Sequence, residues 1–134
     1  MTISSFDELL HSSREQAEPQ RLLFVFAAAE LPDDATPEQR ARFRDGQGGT
    51  LTPLMCVDKT PDELASFETL IEQAREFGRA WDIVFVAAMS GAAGRSPTSA
   101  QAEAPLQRMV ESIKAGGIGG FAPFDVRGQP VQFG

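Results

Sequence analysis

Two unbroken apolar runs constrain the fold of this chain more than any other feature. Residues 22–29 read LLFVFAAA and residues 83–89 read IVFVAAM. Both runs are far shorter than the ~20 apolar residues that span a bilayer, and neither has the polar face of a surface helix. Runs of this length that are rich in β-formers are typical of strands covered on both faces. We therefore expect two central strands with helices packed on either side.

Helix-start signals separate the apolar runs. Thr60 gives the clearest one, because Pro61 and Glu63 complete a capping box and apolar residues then follow helical spacing to Phe77, just before Gly78. This pattern predicts one helix that begins after Thr60 and ends at Gly78. Similar signals predict three more helices, which begin after Ser4 or Ser5, after Thr36 and after Thr98.

The order of these elements predicts the fold class. Residues 51–57 form a third strand that starts late or lies near an edge, since Pro53 cannot donate to a ladder. Residues 121–124 and 131–133 flank a turn at 125–128 and predict a C-terminal β-hairpin. Alternating strands and helices are typical of a parallel sheet. We therefore expect a single α/β domain over residues 1–134, with a mixed, mostly parallel sheet of about five strands and helices on both faces.

Composition excludes several classes of function. The chain has 134 residues, with 12 basic and 19 acidic side chains, so its net charge of −7 argues against nucleic-acid binding. One cysteine, Cys56, and one histidine, His11, cannot form an internal disulfide or a structural zinc site. Because Cys56 lies in an apolar run, we expect a buried, inert thiol. The sequence shows no signal peptide, metal cluster or complete cofactor motif, so we expect a cytoplasmic protein without membrane, metal or cofactor.

The loop after the second apolar run is the candidate ligand site. Its glycines and hydroxyls, next to a helix N-terminus, favour a small phosphorylated ligand such as a nucleotide. The candidate residues are Ser90, Gly91, Gly94, Arg95, Ser96 and Thr98. Their spacing departs from that of a P-loop, and the alternative is a plain surface loop.

An acidic group is a second candidate site. Glu30, Asp33 and Asp34 would gather with Asp58 if the strands that precede them are neighbours. Such carboxylates could serve Mg²⁺ or general acid–base chemistry. The alternative is a solvated acidic loop in an acidic protein.

The function that the sequence favours is a non-catalytic accessory or interaction module with a protein partner. The sequence contains no convincing nucleophile–base pair, and its C-terminal hairpin concentrates apolar side chains on short strands, at Phe121, Phe124, Val131 and Phe133. A small-ligand binder that uses residues 90–98 and an enzyme of unidentified class remain as alternatives.

Three segments carry a resemblance to a known family: LLFVFAAAELPDDATPEQRARF, GGTLTPLMCVDKTPDELASF and APLQRMVESIKAGGIGGFAPFD. They resemble small proteobacterial proteins that often bear the label "ribonucleotide reductase subunit alpha". The resemblance covers nearly the whole chain and implies a cytosolic bacterial protein. A reductase catalytic subunit needs several thiols for turnover, whereas this chain has Cys56 alone. We therefore expect that the protein is not such a subunit, and no functional residue is carried over.

Overall fold

The structure, a computed structural model, describes residues 5–30, 34–44, 50–64, 66–78 and 80–131. Its elements are α1 (Phe6–Arg14), β1 (Gln20–Glu30), α2 (Pro37–Arg44), β2 (Thr50–Lys59), a 3₁₀ turn (Pro61–Glu63), α3 (Phe67–Arg75), β3 (Ile83–Ser90), α4 (Ser99–Lys114) and β4 (Ala122–Phe124).

The sheet has four strands in the order β2-β1-β3-β4, and each neighbouring pair is antiparallel. At its centre, Phe24 of β1 lies between Val57 of β2 and Val86 of β3. The prediction of a mostly parallel sheet with about five strands is therefore wrong. Of the two alternatives for Pro53, the edge position is confirmed, since β2 is the outermost strand on its side, and the late start is wrong, since β2 begins at Thr50.

The position of β1 explains why the sheet lacks parallel pairs. Both β2 and β3 are antiparallel to β1, so they run in the same direction, and α3 connects them as a crossover helix would. Because β1 lies between them, these two strands never pair with each other. Helical periodicity reveals that a helix separates two strands, but it carries no information on whether the strands are neighbours.

Strand β1 is covered on both faces, as its apolar run predicts. Leu22, Phe24 and Phe26 point to one face, where they pack with residues of α1 and α3. Leu23 and Val25 point to the other face and pack against α4. On the α4 side the buried helix residues are Ala102, Leu106, Met109 and Ile113. The sheet is therefore the middle layer of three.

The helix predicted to begin after Thr60 is interrupted. The capping box opens only the 3₁₀ turn, Leu64 is extended and fully buried, and α3 begins later, at Phe67. Two groups of α1 stabilise the break: Arg14 donates to the carbonyl oxygens of Pro61 and Leu64, and the Asp7 carboxylate accepts the backbone N–H of Phe67. Tertiary contacts thus override the continuous helical pattern.

The start of α1 after Ser5 and the start of α4 after Thr98 are confirmed by side-chain caps. At the C-terminus, the chain turns at residues 125–128 as expected, and the Asp125 carboxylate accepts two backbone N–H groups of that turn. The returning segment reaches β4 through a single bridge from Pro130 and a bond from Val131. Residues 132 and 133 of the predicted last strand lie outside the described residues.

Two hydrogen bonds fix the direction in which each β3 backbone group points. The Gly91 N–H donates to the Pro19 carbonyl, so Gly91 faces the β1 side. On the other side of the strand, the Pro123 carbonyl accepts from Val131, so Pro123 faces away from β3. Because backbone groups alternate sides along a strand and the register is regular, Ala87 and Met89 face β1. By the same alternation, Ala88 and Ser90 face the β4 side.

The same alternation places Pro53 on the outer side of β2. The β1 residues that face β2 include Phe24 and Ala28, which lie opposite Val57 and Thr52. Pro53, next to Thr52, therefore points outward, where its missing N–H removes no ladder bond. A bulge lies beside it, at the register shift opposite Phe26 and Ala27. Both features blunt the β2 edge against further strand pairing.

The assignment of sides along β3 predicts unequal effects for two proline substitutions. Ala87→Pro should cost about 2–3 kcal/mol, because it removes an N–H that faces β1 and leaves a buried carbonyl unpaired. Ala88→Pro should cost less than about 1 kcal/mol, because its N–H faces outward. Urea denaturation of both variants measures the difference. Equal losses would contradict the assignment.

Candidate interaction site at the β3 edge

A polar network joins the carboxyl ends of β2 and β3. Arg21 is largely buried, at 13% side-chain exposure, and its guanidinium lies 2.5 Å from the Asp58 carboxylate. The Arg21 Nε group also donates to the Pro97 carbonyl at 2.6 Å, and the Ser99 hydroxyl donates to Asp58. The network therefore holds the segment between β3 and α4 against the end of β2.

In the loop proposed to bind phosphate, most backbone N–H groups have acceptors within the protein. Gly91 donates to the Pro19 carbonyl at 2.8 Å, and Gly94 donates to the Glu18 carboxylate at 3.1 Å. Ala92 and Arg95 pair with each other across a tight turn. A side chain at Gly91 would lie 1.9 Å from the Arg95 carbonyl oxygen, so this glycine serves the close approach of the chain.

The polar side chains of the same loop differ in their surroundings. The Ser90 hydroxyl accepts from Gln20, and the Thr98 hydroxyl accepts the N–H of Gln101 in the α4 cap. Ser96 lines a polar cleft of about 260 Å³ that also involves Arg14 and Thr60. The structure thus brings Ser96 alone of the six candidate residues to this cleft.

Glu30 and Asp58, two of the acidic residues proposed as a group, do not come together. Glu30 lies opposite Thr50 and Asp58 lies opposite Leu23, so the two acids mark opposite ends of the antiparallel pair. Seven positions of β1 separate them in register, roughly 23 Å at the usual rise of a strand. Asp33 lies outside the described residues. Within the described ranges, no three His, Cys, Asp or Glu side chains gather as a metal site requires.

Cys56 is exposed, so the prediction of a buried thiol is wrong. Its strand lies at the edge of the sheet, where helix α4 leaves the Cys56 side chain uncovered. Cys56 lies opposite Val25 and therefore points to the α4 face of the sheet. His11 lies on α1, on the other face, where it pairs with Glu15 at 3.0 Å. The sheet separates the two side chains.

The apolar residues expected to form an interaction surface at the C-terminus are partly used in the core. Phe124 is only 2% exposed and packs on Phe6, with 5.5 Å between the ring centroids. Phe121 packs against the α4 cluster, and Phe133 lies outside the described residues. The hairpin therefore contributes to the core instead of presenting all of these side chains to a partner.

Because β4 is short, part of β3 has no partner strand on the side away from β1 in the described chain. Its three residues pair with Val84, Phe85 and Val86, and no strand of the described chain pairs with residues 87–90 on that side. The N–H and C=O groups of Ala88 and Ser90 point toward this open side, as the alternation along β3 requires. We call residues 87–90 the β3 edge. It contains no charged residue and no proline.

An apolar pocket flanks the β3 edge on each face of the sheet. The α1-face pocket has a volume of about 270 Å³ and is lined by Leu9, Ser12, Ser13, Gln16, Gln20, Leu22, Val86, Ala87 and Ala88. The α4-face pocket has a volume of about 250 Å³ and is lined by Leu23, Ala87, Ala88, Met89, Pro105, Arg108, Met109, Ser112 and Phe121. The edge and its pockets together form a slot that an extended segment would fit.

Sequence reasoning missed this site, although one signal pointed to it. The expected last strand pair begins with four residues, 121–124, whereas the apolar run of β3 has seven, 83–89. A strand that is longer than its neighbour must leave some residues unpaired. The sequence did not show which strand is the neighbour of β3. The difference in strand length therefore could not be assigned to a particular edge.

Comparisons with known proteins give no further assignment. No protein-family model, curated protein or solved structure matches this chain. Among the helices of the described residues, none combines the length and the apolar character needed to cross a membrane.

The Arg21 network should contribute measurably to stability. Arg21→Met should lower the free energy of unfolding by about 2 kcal/mol, because it leaves the Asp58 carboxylate without its cation in a largely buried place. Lys114→Met is the matched control, since Lys114 and Glu111 are mostly exposed and 3.9 Å apart; it should change stability by less than about 0.5 kcal/mol. Urea denaturation measures both. Equal effects would contradict the role of the network.

Glu63 should make stability depend on pH in the acid range. The backbone N–H of Thr60 donates to its carboxylate at 3.0 Å and lowers the Glu63 pKa from its ordinary value of 4.5. The charged form therefore stabilises the fold above pH 4.5, and this contribution is lost as the pH falls through the lowered pKa. Glu63→Gln keeps an acceptor but does not titrate. Between about pH 5 and pH 3, the free energy of unfolding of this variant should fall less than that of the unaltered protein. Urea denaturation at each pH measures both, and an equal fall in the two proteins would contradict this expectation.

Proposed function

We propose that this protein is a non-catalytic interaction module of the bacterial cytoplasm that captures an extended segment of a partner protein at the β3 edge. The observation that carries the proposal is the unpaired row of backbone groups at Ala88 and Ser90. An extended segment placed there would continue the ladder that β4 begins and would gain main-chain hydrogen bonds. The single cysteine is in keeping with a reducing compartment.

The contrast between the β2 edge and the β3 edge of the sheet supports the proposal. The outer side of β2 is interrupted by Pro53 and a bulge, devices that prevent unwanted pairing. The β3 edge lacks both, and Ala88 and Ser90 are exposed. An open edge without such protection is a hazard for aggregation unless a partner uses it. Binding of a partner strand accounts for its retention.

A strand-forming peptide tests the proposal. The probe is a blocked hexapeptide of alternating valine and threonine, added to ¹⁵N-labelled protein. We expect saturable shifts of the Ala88 and Ser90 amides with a Kd at or below about 1 mM. Ala88→Pro should abolish these shifts, because the ring replaces the outward N–H and blocks approach.

Cys56→Pro is the matched control for this experiment. It changes an outward-facing position of the other edge strand, so it should leave the binding unchanged. Shifts that persist in Ala88→Pro, or that centre on β2, would contradict capture at the β3 edge.

A small phosphorylated ligand is the second candidate, and the polar cleft beside Ser96 favours it. The cleft is lined by Ser13, Arg14, Thr60 and Ser96, among others, and its volume of about 260 Å³ suits a small polar molecule. Titration with inorganic phosphate should then shift the amides around Arg14 and Ser96. Ser96→Ala should weaken the effect about threefold, the loss expected for one hydrogen bond. No shift at millimolar phosphate would contradict binding of this anion.

A further inference from the structure

We propose that the β3 edge selects partner segments that carry two successive large apolar side chains, next to an acidic or neutral flank. The inference rests on the proposed function and adds the chemistry of the partner to it. Its basis is the pair of pockets on opposite faces of the sheet. Successive residues of an extended segment point to opposite faces, so the pockets match the period of a bound strand.

The direction of β4 sets the register of the bound segment. Because β4 is antiparallel to β3 and ends its pairing at Val86, a segment that continues this ladder also runs antiparallel. Its residue opposite Ala88 would lie on the same face as Ala88 and enter the α1-face pocket. The preceding residue, opposite Met89, would enter the α4-face pocket beside Phe121.

The size of the pockets argues against a second copy of this chain as the occupant. In a symmetric pair, each β3 edge would offer the other only Ala87, Ala88, Met89 and Ser90. Alanine and serine side chains are too small to fill a pocket of about 270 Å³ on the α1 face. The surface is therefore not self-complementary, and a segment with larger side chains would bury more apolar area.

The charge of the slot determines which residue is preferred beside the two apolar residues of the bound segment. Among the described residues that line the two pockets, Arg108 is the only one with a charged side chain. The slot is thus locally cationic, although the whole chain carries a net charge of −7. A carboxylate near Arg108 would be attracted, whereas a lysine would be repelled. The slot would therefore favour an acidic residue beside the bound segment, whereas the net negative charge of the protein would favour a partner that is basic elsewhere.

A peptide series tests the selection. The reference is a fluorescein-labelled octapeptide of threonines that carries aspartate, phenylalanine and leucine at positions two, four and five, so that the aspartate and the phenylalanine point to the α4 face, where Arg108 lies. Replacing phenylalanine or leucine with threonine should weaken binding about tenfold each, since each loses a buried apolar side chain. Replacing aspartate with lysine should weaken it about threefold at low salt. Fluorescence anisotropy gives the Kd values.

Protein variants assign each preference to a pocket. Ser12→Leu fills the α1-face pocket and should remove the preference for leucine over threonine, and Ser112→Leu should do the same for phenylalanine. Ser12→Ala and Ser112→Ala are the controls that should keep both preferences. Circular dichroism verifies that each variant folds, and Ala88→Pro should abolish binding of every peptide.

The outcomes separate this inference from the proposed function. Equal affinity for all peptides, abolished by Ala88→Pro, would overturn the selection and leave edge capture intact. Absence of binding by every peptide, together with a negative result for the valine–threonine probe, would overturn both. A dimer in sedimentation that Ala88→Pro dissociates would show that a second copy occupies the slot, and would also overturn the inference.

Discussion

The structure depends on one strand, β1, that is buried on both faces and paired on both sides. Its side chains alternate between the α1–α3 cluster and the α4 cluster, so Phe24 and Val25 anchor different layers of the molecule. Both β2 and β3 pair with it. A charged residue in the middle of such a strand would lack a polar environment on either face. The one cation of the strand, Arg21, is its second residue, and there it pairs with Asp58.

Features that depend on neighbouring residues could be predicted from the sequence, and features that depend on distant pairing could not. The caps at Ser5 and Thr98 and the two covered strands rest on local signals, and the structure contains them. Strand order rests on which segments meet, and the insertion of β1 between β2 and β3 leaves no local trace. The interruption near Leu64 also depends on distant groups, since Arg14 and Asp7 belong to α1.

The antiparallel arrangement also explains why the candidate site does not lie at the loops that were expected to bind a ligand. A parallel sheet would gather the ends of β1, β2 and β3 at one edge, where loops converge on a ligand. In this fold β1 ends at the opposite side, which separates Glu30 from Asp58. The loop after β3 instead folds back on residues near the start of β1, where Pro19 and Glu18 take its N–H groups. Its glycines thus serve a tight turn and contacts with the chain before β1.

The open β3 edge follows from the unequal lengths of β3 and β4, and its surroundings determine what it can bind. A longer β4 would cover Ala88 and Ser90, but the chain turns just before Ala122, where the Phe121 N–H donates to the Ile118 carbonyl, and Phe121 packs against the α4 cluster. The turn leaves the β3 edge open, and Phe121 lines the α4-face pocket with an aromatic ring. Main-chain bonding alone would accept any extended segment, whereas pockets of similar volume on both faces can discriminate between side chains. Selectivity at this edge therefore depends on Phe121, the residue that precedes β4.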